Sequence, residues 1–256
     1  MAELDPVTAP LTYPGTPPGQ AAVLLAGADT FGLRPVPATQ LGHWRVCHHG
    51  EEKALDQILI EEAATPAAGR IPVLAVGSNA SPAQLRRKLA AAGLRPVMPI
   101  TAVQVRGLAV GVSAHVSRPG YLPATPIHDP TATSGLWVTW PDAATLAAID
   151  QTEPNYHRVP LSSQYPVELE SGQAVQDCWI YVSRHGYLTD HDGNPRRLTD
   201  QAALISGLLA DIPALTGLAG NSPGEWISRT RDEQVRNAIR AMFRSAGLVR
   251  PHTAMI

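Results

Sequence analysis

The most promising chemistry in this 256-residue chain follows a short apolar run, IPVLAV at 71–76. Gly77, Ser78, Asn79 and Ala80 come next, and then SPAQLRRKLAAAG, which reads as a helix starting near Pro82. A turn between strand and helix leaves backbone N–H groups free where the helix dipole favours negative charge, so it is suited to a carboxylate or phosphate. Gly77 permits close backbone approach and its small neighbours leave room for a ligand. An ordinary strand-to-helix turn with no ligand has the same pattern. Neither GxxxxGK[ST] nor GxGxxG occurs, so no nucleotide cofactor is expected. Ser78 lacks the GxSxG setting of an activated serine, and no histidine is assigned to it.

Metal chemistry has weaker support. His43, His48 and His49 cluster in sequence, but adjacent residues on a strand point to opposite faces and no carboxylate stands at ligand spacing. No metal is expected. In DHDGN at 190–194 the glycine comes two positions early for a calcium loop and Gln201 replaces the bidentate Glu, so a DG turn is the better reading. Cys47 and Cys178 supply neither a disulfide framework nor zinc spacing, which fits a reducing cytoplasm.

The formal charge of -2 argues against a nucleic-acid partner. No Asp or Glu occurs between Ala63 and His128, whereas Arg70, Arg86, Arg87, Lys88, Arg95, Arg106 and Arg118 do. Such a segment favours a nearby anion, or is the solvated face of one helix. No apolar run reaches the roughly 18 residues of a membrane span, so no membrane partner is expected.

Elements must position these groups. Hydrophobic residues make up 44% of the chain and charged ones 16%, enough for a sizeable core. Residues 1 to about 40 are proline-rich, which disfavours helix and central strand and suggests a surface wrap or partial disorder. A helix is expected over Glu51–Ala64, with Ser81 as N-cap and Gly93 as stop for the helix after the loop. Strands are expected at Met98–Val105, Leu108–Val112, Tyr121–Ile127 and Gly135–Trp140, with Trp137, Trp140 and Trp179 in the core. A short helix opened by Pro141 follows, then strands in YHRVPL, YPVELE and AVQDCWIYV. Two helices end the chain, capped by Thr199 and Ser228. The pattern is mixed α/β with a mostly antiparallel sheet.

The loop segment VLAVGSNASPAQL resembles the YGSN loop of the γ-glutamylcyclotransferase-like superfamily. A second block, from YLPATPIHDP to DQTEPNYHRVPLSS, is similar to that family's Gly-led strand, short helix, Asp-x-x-Glu and Tyr-x-Arg strand, in the same order. The match runs from about Ile71 to Val182, a little under half of the chain. The resemblance implies a mixed, mostly antiparallel β-barrel with flanking helices. Residues 71–195 would be the core, 1–70 a proline-rich extension with one helix, and 196–256 a helical extension. It further implies that Glu153, the second carboxylate of DQTE, is catalytic, and that Val76, Gly77, Ser78, Asn79 and Tyr187 contact substrate. Asp150 suits a cap or salt bridge.

The implied reaction needs no cofactor. A γ-glutamyl amide cyclises when its α-amine attacks its γ-carbonyl, releasing 5-oxoproline and an amine; one carboxylate can move the protons. Alternatives are removal of a γ-glutamyl group from a larger biosynthetic intermediate, and a silent carboxylate-binding module. The chain departs from the family in three ways. Val76 replaces the usual Tyr, Pro154 and an early Tyr156 shorten the segment after Glu153, and about 70 residues flank each end of the matched region.

Overall fold

The prolines near the start do not keep the chain out of the sheet. In the computed structural model, which describes residues 5–48 and 50–253, AVLLA forms β1 (Ala22–Ala26), buried at all five positions. β1 pairs antiparallel with β2 (Asp29–Arg34), and Gly27 turns the hairpin at φ +61. This corrects the reading of the first 40 residues as a surface wrap. The prolines stop at Pro18 and resume at Pro35, so the intervening segment keeps every N–H it needs for a sheet.

The next strands, β3 (Arg45–His48) and β4 (Glu51–Ala54), also form a hairpin. His49, one of the histidines weighed for metal, lies outside the described residues. The helix expected from Glu51 starts later, as α1 (Leu55–Glu61). Glu51–Ala54 is drawn into pairing with β3, and Gln57 then accepts a hydrogen bond from Ala54 N at 3.0 Å where the helix begins. Leu55, Ile58 and Leu59 form its buried face.

After β5 (Val73–Ala75) and α2 (Pro82–Ala91) come two long strands, β6 (Val97–Val112) and β7 (Ala124–Thr139). Each merges two of the strands expected separately. Gly107, at φ +78 inside β6, bends the strand without ending it. α3 (Ala143–Gln151) is capped by Asp142, which accepts from Thr145 N at 2.8 Å. β8 (Tyr156–Pro160), β9 (Val167–Leu169) and β10 (Trp179–Ser183) complete the sheet.

The sheet has ten strands in the order β4-β3-β2-β1-β6-β7-β5-β10-β8, with β9 on β6. The pairing of β10 with β5 is parallel, while the hairpins and the β1–β6 and β5–β7 pairings are antiparallel. Among the described residues the order has two ends and the sheet is not closed, so the expected barrel is replaced by an open sheet. The architecture is mixed α/β with a large, mostly antiparallel sheet.

The chain divides into two compact units. One comprises Thr16–Leu108 and Asp129–Tyr181. Its core joins Leu85 and Leu89 of α2 and Leu146 and Ile149 of α3 to Val23, Leu25, Met98 and Ile100 of β1 and β6. Trp137 and Trp179 are only half-buried, packed against that core.

The other unit comprises Met1–Gly15, Ala109–His128 and Val182–Ile256. It holds β11 (Tyr187–Leu188), α4 (Gln201–Asp211), α5 (Ala214–Ala219), α6 (Pro223–Arg229), α7 (Glu233–Ser245) and β12 (Val249–Arg250). Asp200 caps α4 where Thr199 was expected. The last expected helix is split, with Ser222 capping α6 and Asp232 capping α7. Asp200 and Asp232 take a free first-turn N–H with a carboxylate, and Ser222 takes one with its hydroxyl. Asp190 accepts from Asp192 N and Asn194 N at 3.0 and 2.8 Å, and Gly193 is at φ +87, forming the DG turn.

Leu204, Ile205, Leu208, Leu215, Trp226 and Phe243 build this unit's core. A buried polar chain runs through the unit. Ser113 Oγ is 2.6 Å from both His115 Nδ1 and Ser183 Oγ, and Thr125 Oγ1 is 3.1 Å from His252 Nε2. Burial pushes His115 down to about 3, with the charges of His185 and Arg240 acting the same way, and pushes His252 down to about 4. Among the described residues no helix is long and apolar enough to cross a membrane.

Candidate active site

The loop after β5 is a single 3-10 turn, Ser78–Ala80, closed by Ala80 N donating to Gly77 O and Ser81 N to Ser78 O, both at 3.0 Å. Gly77 has φ -143, so its conformation does not demand glycine. Val76 and Ser78 are half-buried, and Ser78 Oγ bonds to no imidazole among the described residues. Ser81 stands at the N-cap of α2 but makes no capping bond; its Oγ is buried and without a partner. The expected side-chain cap is therefore absent. Pro82 takes the first helical position, and Gly93, at φ +69, follows the end of the helix.

Glu153 lies just beyond α3, where Glu153 N donates to Asp150 O at 3.1 Å and Tyr156 N to Glu153 O at 3.0 Å. These turns hold the backbone on both sides of the carboxylate. Its Oε1 accepts from Asn79 Nδ2 at 3.1 Å and from Lys88 Nζ at 2.5 Å. Lys88 Nζ also donates to Asn79 Oδ1 at 2.7 Å, which closes a triangle of three side chains. The Lys88 and Glu153 side chains are 8% and 14% exposed. Loop, α2 and the segment after α3 thus each contribute one group.

In the sequence Lys88 is hidden among the basic residues around it. The helical spacing contained the missing signal: Lys88 is three residues after Leu85 and one before Leu89, on the face of α2 that faces the core. The other basic residues have separate tasks. Arg70 is buried and donates to the carbonyls of Thr65, Val97 and Trp140, while Arg95 pairs with Glu62 and Arg106 with Glu168.

A second group braces the end of α3. Arg158 donates to Asp150 Oδ1 from Nε at 3.0 Å and to Oδ2 from Nη2 at 3.1 Å, and Tyr181 OH donates to Oδ1 at 2.6 Å. The Arg158 guanidinium lies over the Trp179 ring at 4.6 Å. Burial alone would raise the Asp150 carboxyl, but the hydrogen bonds from Arg158 and Tyr181, with the Arg158 charge, hold it below the usual carboxylate range. Burial and the neighbouring carboxylates of Asp150 and Glu153 push Tyr181 above its ordinary value. Asp150 is a salt-bridge partner, three residues before Glu153.

Tyr187 belongs to the other unit. It pairs with Arg250 between β11 and β12, and its ring lies 5.2 Å from that of His252.

This chain is similar to several solved structures. A solution structure of a protein from Arabidopsis thaliana is 18% identical over 44% of this chain and 62% of that one, with a TM-score of 0.34. A protein named gamma-glutamyl cyclotransferase is 12% identical over 67% of this chain and 99% of that one, with a TM-score of 0.37. At these identities and scores the superposition carries no residue role or substrate to this chain. No family model and no curated protein matches it.

Proposed function

We propose that the chain is a cofactor-independent cyclotransferase that converts a γ-glutamyl amine or peptide to 5-oxoproline and a free amine, with Glu153 as proton shuttle. The observation that supports this reading is the contact of loop residue Asn79 with Glu153, 74 positions away in sequence. Residues 71–195 carry the reaction; 196–256 are an extension, and of residues 1–70 β1 shares the core beneath the reacting groups.

In this mechanism the substrate folds so that its α-nitrogen faces its own γ-carbonyl. Ring closure is intramolecular, so orientation supplies several kcal/mol of the barrier reduction. The α-ammonium gives up one proton to become the attacking amine and a second as the new C–N bond forms. The old C–N bond breaks, and the leaving nitrogen takes up both protons and departs as an ammonium ion. Glu153 ferries them through Oε2, because Oε1 already accepts two hydrogen bonds. The Gly77-Ser78-Asn79 backbone holds the substrate carboxylate or the developing oxyanion. Ser81 Oγ, buried without a partner beside this loop, supports an anionic ligand: an unmet buried hydroxyl costs about 1–3 kcal/mol, which a ligand oxygen would relieve.

The test is Glu153→Gln, which preserves shape and removes the base. Release of 5-oxoproline from γ-glutamyl amines should fall at least about 10²-fold while binding persists. Near-normal turnover excludes the role. Binding without any turnover in the unaltered protein would instead favour a carboxylate-binding module.

A further inference from the structure

The hydrogen-bond inventory of the Lys88–Glu153 pair says more than that it is closed. An ammonium has three N–H donors. Two of those on Lys88 are used, by Asn79 Oδ1 at 2.7 Å and Glu153 Oε1 at 2.5 Å. Both donors received by Glu153 fall on Oε1, and Oε2 accepts none among the described residues. The pair therefore keeps one unspent N–H on Lys88 and one unspent carboxylate oxygen on Glu153. Lys88 has little freedom to spend its donor on solvent, since its side chain is 8% exposed and its helix is anchored by the buried Leu85 and Leu89.

We infer that Lys88 is a specificity-determining residue that reads the α-carboxylate of the substrate, so that the site selects a free α-amino-acid head group. The inference rests on the Glu153 reading and deepens it. The head group's ammonium donates to Glu153 Oε2, and its carboxylate, seated on the Gly77-Ser78-Asn79 backbone, also accepts the third N–H of Lys88. Each side of the contact is a zwitterion with no net charge, so binding buries no unbalanced charge. A substrate with its α-carboxylate blocked as an amide loses the charged acceptor. The loss of one charge-assisted hydrogen bond corresponds to about tenfold or more in affinity.

The test compares L-γ-glutamyl-benzylamide with the same compound carrying an α-carboxamide. In the unaltered protein kcat/KM should favour the carboxylate by at least about tenfold, chiefly through KM. Lys88→Met should bring the ratio to within about threefold of unity. If the unaltered protein treats the two compounds alike, or if Lys88→Met slows both equally through kcat, Lys88 only positions Glu153 and the inference is overturned. Should Lys88→Met fail to fold, Lys88→Gln keeps a neutral donor toward Asn79, and the same collapse of the ratio is expected. If neither compound is cyclised, the Glu153 reading fails, and calorimetry with L-glutamate and its α-amide decides this inference separately. Tighter glutamate binding that is lost in the Lys88 variant sustains it; equal binding, or none, overturns it.

Discussion

Lys88 Nζ lies 2.5 Å from Glu153 Oε1 across 65 positions of sequence, and the apolar core makes this meeting possible. α2 and α3 share a core with β1 and β6, through Leu85 and Leu89 on one helix and Leu146 and Ile149 on the other. Burying those side chains outweighs the desolvation of one partly exposed ion pair, so the core sets the geometry and the pair adjusts to it. Asn79, bonded to both partners, ties the loop into the same arrangement.

The loop prediction separates backbone from side chain. Because Gly77 has φ -143, a side chain there acts through the space it fills. Gly77→Val should abolish binding of a γ-glutamyl amine with the melting temperature little changed, whereas Ser78→Ala should alter binding less than about threefold. Titration of both variants measures this. Normal binding in Gly77→Val with a loss in Ser78→Ala would move the contact to the serine hydroxyl.

Val76 should influence substrate size. It is half-buried in the bend after β5, where the resembled family carries a Tyr. Val76→Tyr should spare a small γ-glutamyl amino acid and slow a bulky γ-glutamyl amine by about tenfold if this volume serves the leaving group. Equal effects on both substrates, or a loss of folding, would assign the position to packing.

Asp150→Asn should lower stability by about 1–2 kcal/mol at neutral pH, because the bidentate Arg158 contact becomes a neutral one while about a quarter to a third of the pair stays exposed. The Asp150 carboxyl is held low in the folded protein, so its contribution is present above the unfolded carboxylate range and fades as pH falls through the folded value. Denaturant titrations of both proteins should differ at pH 7 and converge in acid. A constant difference down to pH 2 would refute the charge-based account.

His115 and His252 predict acid sensitivity in their unit. Their folded values of about 3 and about 4 lie below the ordinary 6.5, so the unfolded chain binds protons first as pH falls. Stability is therefore full above 6.5 and declines below it, by about 1.4 kcal/mol per pH unit for each histidine until its folded value is reached. His115→Gln should reduce that slope by one histidine's share. An unchanged slope between pH 6 and 4 would remove His115 as a cause.

Much of the site is legible in the chain itself. Strand, small-residue turn and Pro-led helix are local patterns, and they identify the β5 loop and α2 because backbone sterics and helix-end hydrogen bonding act over a few residues. The DQTE segment likewise stands out at the end of a short helical run. Helix caps are less legible: where Thr199 and Ser228 were plausible, Asp200 and Asp232 serve, since several neighbouring polar residues can bond the same N–H.

Tertiary structure decides the rest. β1 is a central strand because β2 and β6 supply its hydrogen bonds, and β4 is a strand because β3 pairs with it against a helical tendency. Whether the sheet closes depends on its terminal strands meeting, a long-range outcome that alternation along each strand does not encode. Lys88 shows the same division: its place on the buried face of α2 follows from helical periodicity, whereas its partners Glu153 and Asn79 follow from which elements the core brings together. Local sequence determines what a segment can form and offer; burial of apolar surface between distant segments determines which of those groups meet.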